Sequence, residues 1–302
     1  MSSWAERGFV AVDWGSTARR AYHVDPAGRV VDEMEDGAGT LTLARGDFPA
    51  AVDALRTRFG AAPLLMAGMV GSNRGWVEAA YVPCPAGLAD VADHLCWAEP
   101  GTAAIVPGLS LATGDHPDVM RGEEVQAFGL DLLEPQEGAT LLCHPGTHTK
   151  WIEMEGGRVR DFRSVMTGEL FALLKSHSIL ADLLAAPVTV GPAFLDGVAQ
   201  GLENGAATSD LFGVRAGVLL GARPREEAAS RASGLLIGCD IRAGVGLSGS
   251  ASEGKGEVAV LGRGSLTELY AAALAHVGRR ARRVDGAAAF VAGMRGLAAR
   301  IG

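Results

Sequence analysis

Short apolar runs closed by glycine-rich polar turns alternate with stretches of helical spacing along most of this chain. Phe9-Val10-Ala11-Val12 reads as a strand ending at Asp13-Trp14-Gly15-Ser16-Thr17. Strands over 20–24 and 29–34 follow, separated by the turn Asp25-Pro26-Ala27-Gly28. Phe48, Val52, Leu55 and Phe59 recur at helical intervals and predict a helix over 47–59. A buried strand over 64–70 feeds the loop Gly71-Ser72-Asn73-Arg74-Gly75-Trp76. A strand over 103–106 and a helix over 123–133, behind Arg121-Gly122, complete the first half.

The pattern then restarts. Thr140-Leu141-Leu142-Cys143 is again a short apolar strand, ending at His144-Pro145-Gly146-Thr147-His148-Thr149. Strands over 150–154 and from 158 onward are separated by Glu155-Gly156-Gly157. Gly28-Arg29-Val30 aligns with Gly157-Arg158-Val159, and ten residues after each arginine stands a glycine, Gly39 and Gly168. Gly15 and Gly146 match with a turn two residues longer in the first copy. A repeated three-stranded opening says more about architecture than any single motif. Beyond it the spacing predicts helices over 169–174, 193–202, 211–220 and 225–241. A strand over 257–261 breaks at Gly262-Arg263-Gly264-Ser265, and helices over 266–277 and 287–301 close the chain. The stretch Glu134-Pro135-Gln136-Glu137-Gly138 is the best boundary, dividing 1–135 from 136–285, with the C-terminal helix 286–302 rejoining the first domain.

The chain has 302 residues, enough for two domains, and 48% hydrophobic with 21% charged residues is a globular balance. Lys plus Arg number 27 against 35 Asp plus Glu, a net charge of -8, which disfavours nucleic acid or an anionic membrane as partner. Cys84, Cys96, Cys143 and Cys239 form no CxxC pair and suit a reduced, cytoplasmic chain. Met1 to Arg7 lacks signal-peptide regions, and no apolar stretch approaches membrane-spanning length.

Two tight turns carrying Gly with Ser or Thr suit a phosphate clamp, because backbone N–H groups and hydroxyls can hold phosphate oxygens. Gly15, Ser16 and Thr17 would form one side, and Gly146, Thr147 and Thr149 the other, with Lys150 as a point charge. Asp13 adds a carboxylate that can orient Mg²⁺ through water. An ordinary hairpin accounts for either turn alone. Two copies, with Gly262-Arg263-Gly264 between an apolar strand and a helix, favour the phosphate reading.

With these residues in place, the sequence resembles the actin-like ATPase superfamily of sugar kinases, Hsp70 and actin. Asp13 to Thr17 resembles its phosphate-1 hairpin, Gly146 to Lys150 its phosphate-2 hairpin, and Leu261 to Leu266 its adenosine motif. Within it the chain is similar to the 2-dehydro-3-deoxygalactonokinase family. That likeness rests on Ala67 to Ser72, Gly75 to Ala79 with Tyr81 to Pro85, Met120 to Glu124, Pro145 to Trp151 and Ser233 to Gly238. It departs at His144, where many superfamily members keep an acid. The resemblance implies an α/β fold of two RNase H-like (ASKHA) domains with mixed five-stranded sheets flanked by helices and an interdomain cleft. It implies ATP-dependent phosphorylation of the 6-hydroxyl of 2-dehydro-3-deoxy-D-galactonate, with Mg²⁺ and a homodimeric habit. Sugar acid would bind mainly to the first domain and nucleotide mainly to the second, with Gly262, Gly264 and Ser265 on adenosine. A kinase of another small acceptor, an amino sugar or hydroxy acid, and a non-catalytic nucleotide-dependent binding protein are the alternatives.

The acceptor hydroxyl needs a carboxylate to take its proton. Gly122-Glu123-Glu124-Val125-Gln126-Ala127 resembles the helix start where sugar kinases keep an Asp, which points to Glu123 as base with Glu124 behind it; helix capping is the bland alternative. Arg74 and Arg121 are candidates for the substrate carboxylate, since a guanidinium fork matches it, with Ser72 and Trp76 beside them. Thr167, Gly168 and Glu169 are a phosphate contact or a cap. Three motifs are set aside: the GxGxxG of Gly244 to Gly249, the incomplete Walker A of Gly249 to Gly256, and His144/His148 as a zinc pair. Arg279-Arg280-Ala281-Arg282-Arg283 reads as a solvated helix end.

Overall fold

A computed structural model of the chain describes residues 2–112, 116–135, 137–247 and 256–302. In chain order the first part runs α1 (Trp4–Arg7), β1 (Phe9–Trp14), β2 (Arg19–Val24), β3 (Val30–Asp36), α2 (Phe48–Phe59) and β4 (Leu64–Gly68). Short elements follow: β5 (Val82–Pro83), β6 (Ala86–Gly87), α3 (Leu88–Asp93), β7 (Cys96–Glu99), β8 (Ala103–Ile105), β9 (Leu109–Leu111) and β10 (Asp118–Met120), before α4 (Glu123–Leu133). The second part runs β11 (Thr140–His144), β12 (Thr149–Glu155), β13 (Arg158–Val165), α5 (Thr167–His177), α6 (Pro192–Asn204), α7 (Ala207–Leu219) and α8 (Ala228–Val245). It ends with β14 (Val258–Leu261), α9 (Ser265–His276), β15 (Ala281–Val284) and α10 (Gly286–Ala298).

The chain forms two compact units, one of Met1–Gly138, Met154–Asp161 and Gly286–Gly302, the other of Ala139–Glu153 and Phe162–Asp285. In unit 1 the sheet order is β3-β2-β1-β4-β8, with β7 added antiparallel to β8 as a sixth, edge strand. β1 is antiparallel to β2 and parallel to β4, and β4 is parallel to β8. The second sheet repeats that order as β13-β12-β11-β14-β15, again with β11 parallel to β14 and β14 parallel to β15. Leaving aside the edge strand β7, five strands of each main sheet, ranked along the chain, thus lie in the order 3-2-1-4-5. The tip Met154–Asp161 belongs to unit 1, where Arg158 and Val159 pair with Gly87 and Ala86.

β1 and β4 are apolar along nearly their whole length because both faces of a central parallel pair are covered. Phe48, Val52, Leu55 and Phe59 form the buried stripe of α2 against them. In unit 2, Trp151, Phe194, Ile237, Ile241, Val260 and Tyr270 make the corresponding core. Helices approach closely through glycine: a methyl group on Gly201 would lie 2.1 Å from the Leu235 carbonyl oxygen, and one on Gly238 2.2 Å from that of Val198. The run Ser233–Gly238, read as a motif, is thus half of a tight α6–α8 crossing. α4 and α10 meet likewise at Gly129 and Gly293.

Two readings are corrected. The Arg279–Arg283 segment is not a helix end: β15 pairs parallel with β14, and the Val258 N–H donates to the Arg280 carbonyl at 2.8 Å. Its charges misled because an edge strand often carries them outward, here Arg282 to Glu257 and Arg283 to Glu268. The strand over 64–70 stops at Gly68, and Met69–Gly71 winds into a 3₁₀ turn. The extra length of the first repeat lies between β2 and β3, since each hairpin turn has four residues between its strands. The strands β5, β6, β9 and β10, two or three residues each, are too short to leave a periodic signal.

Candidate active site

In unit 1 three backbone segments converge at the carboxyl ends of β1 and β4, where open α/β sheets place their ligands. A methyl group on Gly68 would lie 2.8 Å from the Trp14 carbonyl oxygen, and one on Gly122 would lie 3.2 Å from the Gly68 Cα. Both glycines also have left-handed backbone, with φ of 94° and 108°. Only residues without a side chain bring the end of β1, the loop after β4 and the start of α4 into mutual contact. That contact ties the hairpin of Asp13, Gly15, Ser16 and Thr17 to Arg121, Glu123 and Glu124.

The hairpin turn is closed by Gly15 N–H to the Ala18 carbonyl at 2.9 Å. Thr40 and Leu41 donate to the Gly15 and Ser16 carbonyls, both at 3.0 Å, and a methyl on Gly39 would sit 2.3 Å from the Ser16 oxygen. Asp13 is half-buried at the base of the turn, 3.7 Å from Arg20.

At the head of α4 the two glutamates differ. Glu123 is half-buried, and its carboxylate accepts the Arg121 N–H at 3.1 Å. Glu124 is fully buried; Oε2 accepts the Gly122 N–H at 2.6 Å, while Oε1 has no partner among the described residues. Burial, reinforced by the neighbouring Glu123 charge, pushes its carboxyl up to about 8. Arg121 donates to the Ala79 carbonyl at 2.8 Å and stacks on the Tyr81 ring, 4.3 Å from its centroid. Its Nε and Nη1 are buried and unpartnered among the described residues. Gly71 leaves room for that guanidinium, since a methyl there would lie 2.9 Å from Nη1. Ser72 is buried in the same loop and accepts the Arg74 N–H at 3.3 Å. Trp76 packs on the core, whereas Arg74 is exposed.

Unit 2 repeats the hairpin. Glu169 N–H donates to the Thr147 carbonyl at 2.9 Å, and a methyl on Gly168 would sit 2.3 Å from the Gly146 oxygen. Gly39 and Gly168, paired by their spacing, thus make the same close approach to the same turn. Thr147 and His148 form the exposed apex, with His148 Nε2 2.5 Å from Glu169. Thr149 and Lys150 are buried instead: Thr149 meets Tyr270 at 2.8 Å and Lys150 donates to Ser164. At the end of β14, Gly262 takes φ 136°, and Gly264 caps α9 ahead of exposed Ser265. Arg263 beside them forks onto Asp285 at 2.8 and 3.0 Å.

Sequence reasoning missed Asp240. It lies fully buried on α8 and accepts bonds from Trp151 at 2.5 Å, Thr167 and Tyr270. No motif marks it; a lone acid in an apolar helix face was the available signal. Gly244 sits in α8 because any side chain there would enter the Trp151 ring, which disposes of the GxGxxG reading. Ser248 and the near-Walker stretch through Lys255 lie outside the described residues. Among the described residues no group of three His, Cys, Asp or Glu side chains is arranged to hold a metal, and no helix is long and apolar enough to cross a membrane.

Two units of one strand order, each closing its first hairpin with a glycine from beyond the third strand, define the actin-like class of α/β fold. Residues 13–297 match the 2-keto-3-deoxy-galactonokinase family, to which the chain belongs. It is 37% identical over 293 residues to the 2-dehydro-3-deoxygalactonokinase of Escherichia coli (strain K12), covering 96% of this chain and 97% of that one. It is 38% identical over 296 residues to the Rhizobium meliloti (strain 1021) protein named "Probable 2-dehydro-3-deoxygalactonokinase DgoK1", covering 95% of each. The crystal structure of a Sinorhizobium meliloti protein named for the same kinase superposes with a TM-score of 0.89 at 37% identity, over 96% of this chain and 98% of that chain.

Proposed function

We propose that this protein transfers the γ-phosphoryl group of ATP to the 6-hydroxyl of 2-dehydro-3-deoxy-D-galactonate. The observation that carries the reading is the convergence in unit 1, where glycine contacts tie a phosphate-type hairpin to an acid pair and an unsatisfied guanidinium. Family membership agrees with it. A buried Arg with two idle N–H donors is costly unless a ligand supplies acceptors. A sugar-acid carboxylate would supply an acceptor to one of those idle N–H groups, which favours the acid over the amino-sugar alternative. Arg74, Ser72 and Trp76 border the same loop and would complete the acceptor site.

Glu124 is the better base, reversing the order expected from sequence. Its free Oε1 has an unmet need for a donor, such as an alcohol, and its carboxylate form, which gains population as pH rises toward about 8, is a stronger base than an ordinary glutamate. Glu123 raises that affinity through its charge. As the alcohol oxygen bonds to the γ-phosphorus, its proton passes to Glu124 and the bond to the ADP oxygen breaks. At the turn apices, Ser16 and Thr17 and Gly146 to His148 would donate backbone N–H groups to phosphate oxygens, with the Gly15 N–H closing the first turn on the Ala18 carbonyl. Thr149 and Lys150 would support the second turn from beneath. Exposed Gly264 and Ser265, with Gly262 at the end of β14 beside them, would offer a surface for adenosine. Mg²⁺ would offset phosphate charge; Asp13, a hard oxygen donor at the hairpin base, fits it.

ADP release measured against 2-dehydro-3-deoxygalactonate and acceptors lacking its carboxylate tests the reading. We expect turnover with the sugar acid, and a drop in kcat of about 10² to 10⁴ in Glu124→Gln, exceeding that in Glu123→Gln. No turnover with the acid, or equal turnover without a carboxylate, overturns it.

A further inference from the structure

The mechanism leaves one buried acid idle. Asp240 sits on α8 with no exposed surface. Its three donors come from three different elements: Trp151 on β12, Thr167 at the start of α5 and Tyr270 on α9. The Tyr270 hydroxyl has one proton, and that proton goes to Asp240. Thr149, 2.8 Å away, must then donate to the Tyr270 oxygen, so its side chain is turned away from the hairpin surface and its rotamer is fixed. Thr149 is the first residue of β12, directly after the turn apex. On the other side, Thr167 opens α5, whose next two residues, Gly168 and Glu169, lie against the Gly146 and Thr147 carbonyls. One carboxylate therefore fixes both the strand leaving the second turn and the helix that backs it.

We infer that Asp240 is a positioning residue for nucleotide phosphates: it holds the Gly146–His148 turn in its binding shape through Tyr270–Thr149 and through Thr167. The inference rests on the proposed phosphate role of that turn. It assigns Asp240 no contact with substrate. Its effect should fall on the phosphate-bearing part of the nucleotide and leave both the adenosine moiety and the sugar acid alone.

The experiment compares Asp240→Asn, Tyr270→Phe and their double variant with a destabilised control, Leu274→Ala, a buried α9 core residue with no part in the network. Calorimetric titration with ADP and with adenosine is combined with KM for ATP and for sugar acid, below every melting temperature. We expect each single variant to weaken ADP binding and raise KM for ATP by about tenfold, the scale of one lost hydrogen bond. Adenosine affinity, sugar-acid KM and kcat should stay within about twofold, and the double variant should be no worse than Asp240→Asn. Leu274→Ala should lower the melting temperature and leave ADP affinity unchanged. Should Asp240→Asn fail to fold, Tyr270→Phe alone decides. Unchanged ADP affinity in a folded variant, or equal weakening for ADP and adenosine, overturns the inference. Wild-type protein that binds no ADP would overturn the phosphate reading itself, which is a separate result.

Discussion

The first hairpin is anchored by an ion pair near the rim of its sheet, and the second by a single carboxylate beneath its own. Arg19, the first residue of β2, lies almost wholly buried with its fork on Asp36 of β3 at 2.6 and 3.3 Å, and a further bond to the Ala51 carbonyl at 3.0 Å. Trp14 lies under that guanidinium and donates to the Ala38 carbonyl at 2.8 Å. Thr149, the first residue of β12, instead hands its proton to Tyr270 and so to Asp240. In unit 1 both anchoring groups are charged and cancel. In unit 2 one acid is met only by neutral donors, and burial pushes its carboxyl up despite the bonds from Thr167, Trp151 and Tyr270. Backbone closure by glycine is common to both turns. The side chains that steady them differ, so the repeat preserves a main-chain shape and leaves its support free to vary.

The sharpest way to break the comparison is to put a methyl group on the shared glycine. Gly39→Ala and Gly168→Ala should each lower stability by about 3 kcal/mol or more, because the added carbon meets a carbonyl oxygen at 2.3 Å in either unit. Calorimetry that finds one of them tolerated would end the claim that the turns are equivalent. Next comes the rim anchor. Asp36→Ala strands the buried Arg19 charge with one carbonyl partner, and a loss of about 2 to 4 kcal/mol is expected in denaturant unfolding.

pH separates the two kinds of acid. Burial would raise Asp36, but the Arg19 fork and the Ala38 N–H outweigh it, so its carboxyl is held low. That contribution to stability is present above its unfolded value and is lost as pH falls through the lower folded one. Glu124 has the opposite sign: its contribution is complete below about 4.5 and is lost as pH rises to about 8. Stability measured from pH 4 to 9 should therefore decline toward pH 8 in wild type, and Glu124→Gln should flatten that decline. The free-enzyme kcat/KM should rise over the same interval with an apparent value near 8. A flat stability profile in wild type would remove the burial argument for Glu124. The smallest effect is expected at β15, where Arg283→Ala breaks a pair exposed on both sides. A change below about 1 kcal/mol that vanishes in high salt is expected; a larger one would mean that this edge strand depends on its charges.

Much of this was legible in one chain of letters. The repeat was visible because turn glycines and short apolar runs have fixed offsets, and a turn where any Cβ would lie 2.3 Å from a carbonyl oxygen admits nothing but glycine at Gly39 and Gly168. The helix over 123–133 and the strand at 140 were readable from local periodicity alone, as were the candidate turns. Which side chains are idle and which are spoken for was not readable, since that depends on partners far along the chain. Thr149 and Lys150 look like phosphate ligands in sequence, yet their partners Tyr270 and Ser164 lie on other elements. Glu123 and Glu124 are equivalent as neighbours in a motif; only packing buries one of them and leaves its oxygen unmet. Local pattern fixes which backbone shapes are allowed, whereas desolvation and hydrogen-bond satisfaction are properties of the assembled interior, and it is these that single out Arg121, Glu124 and Asp240.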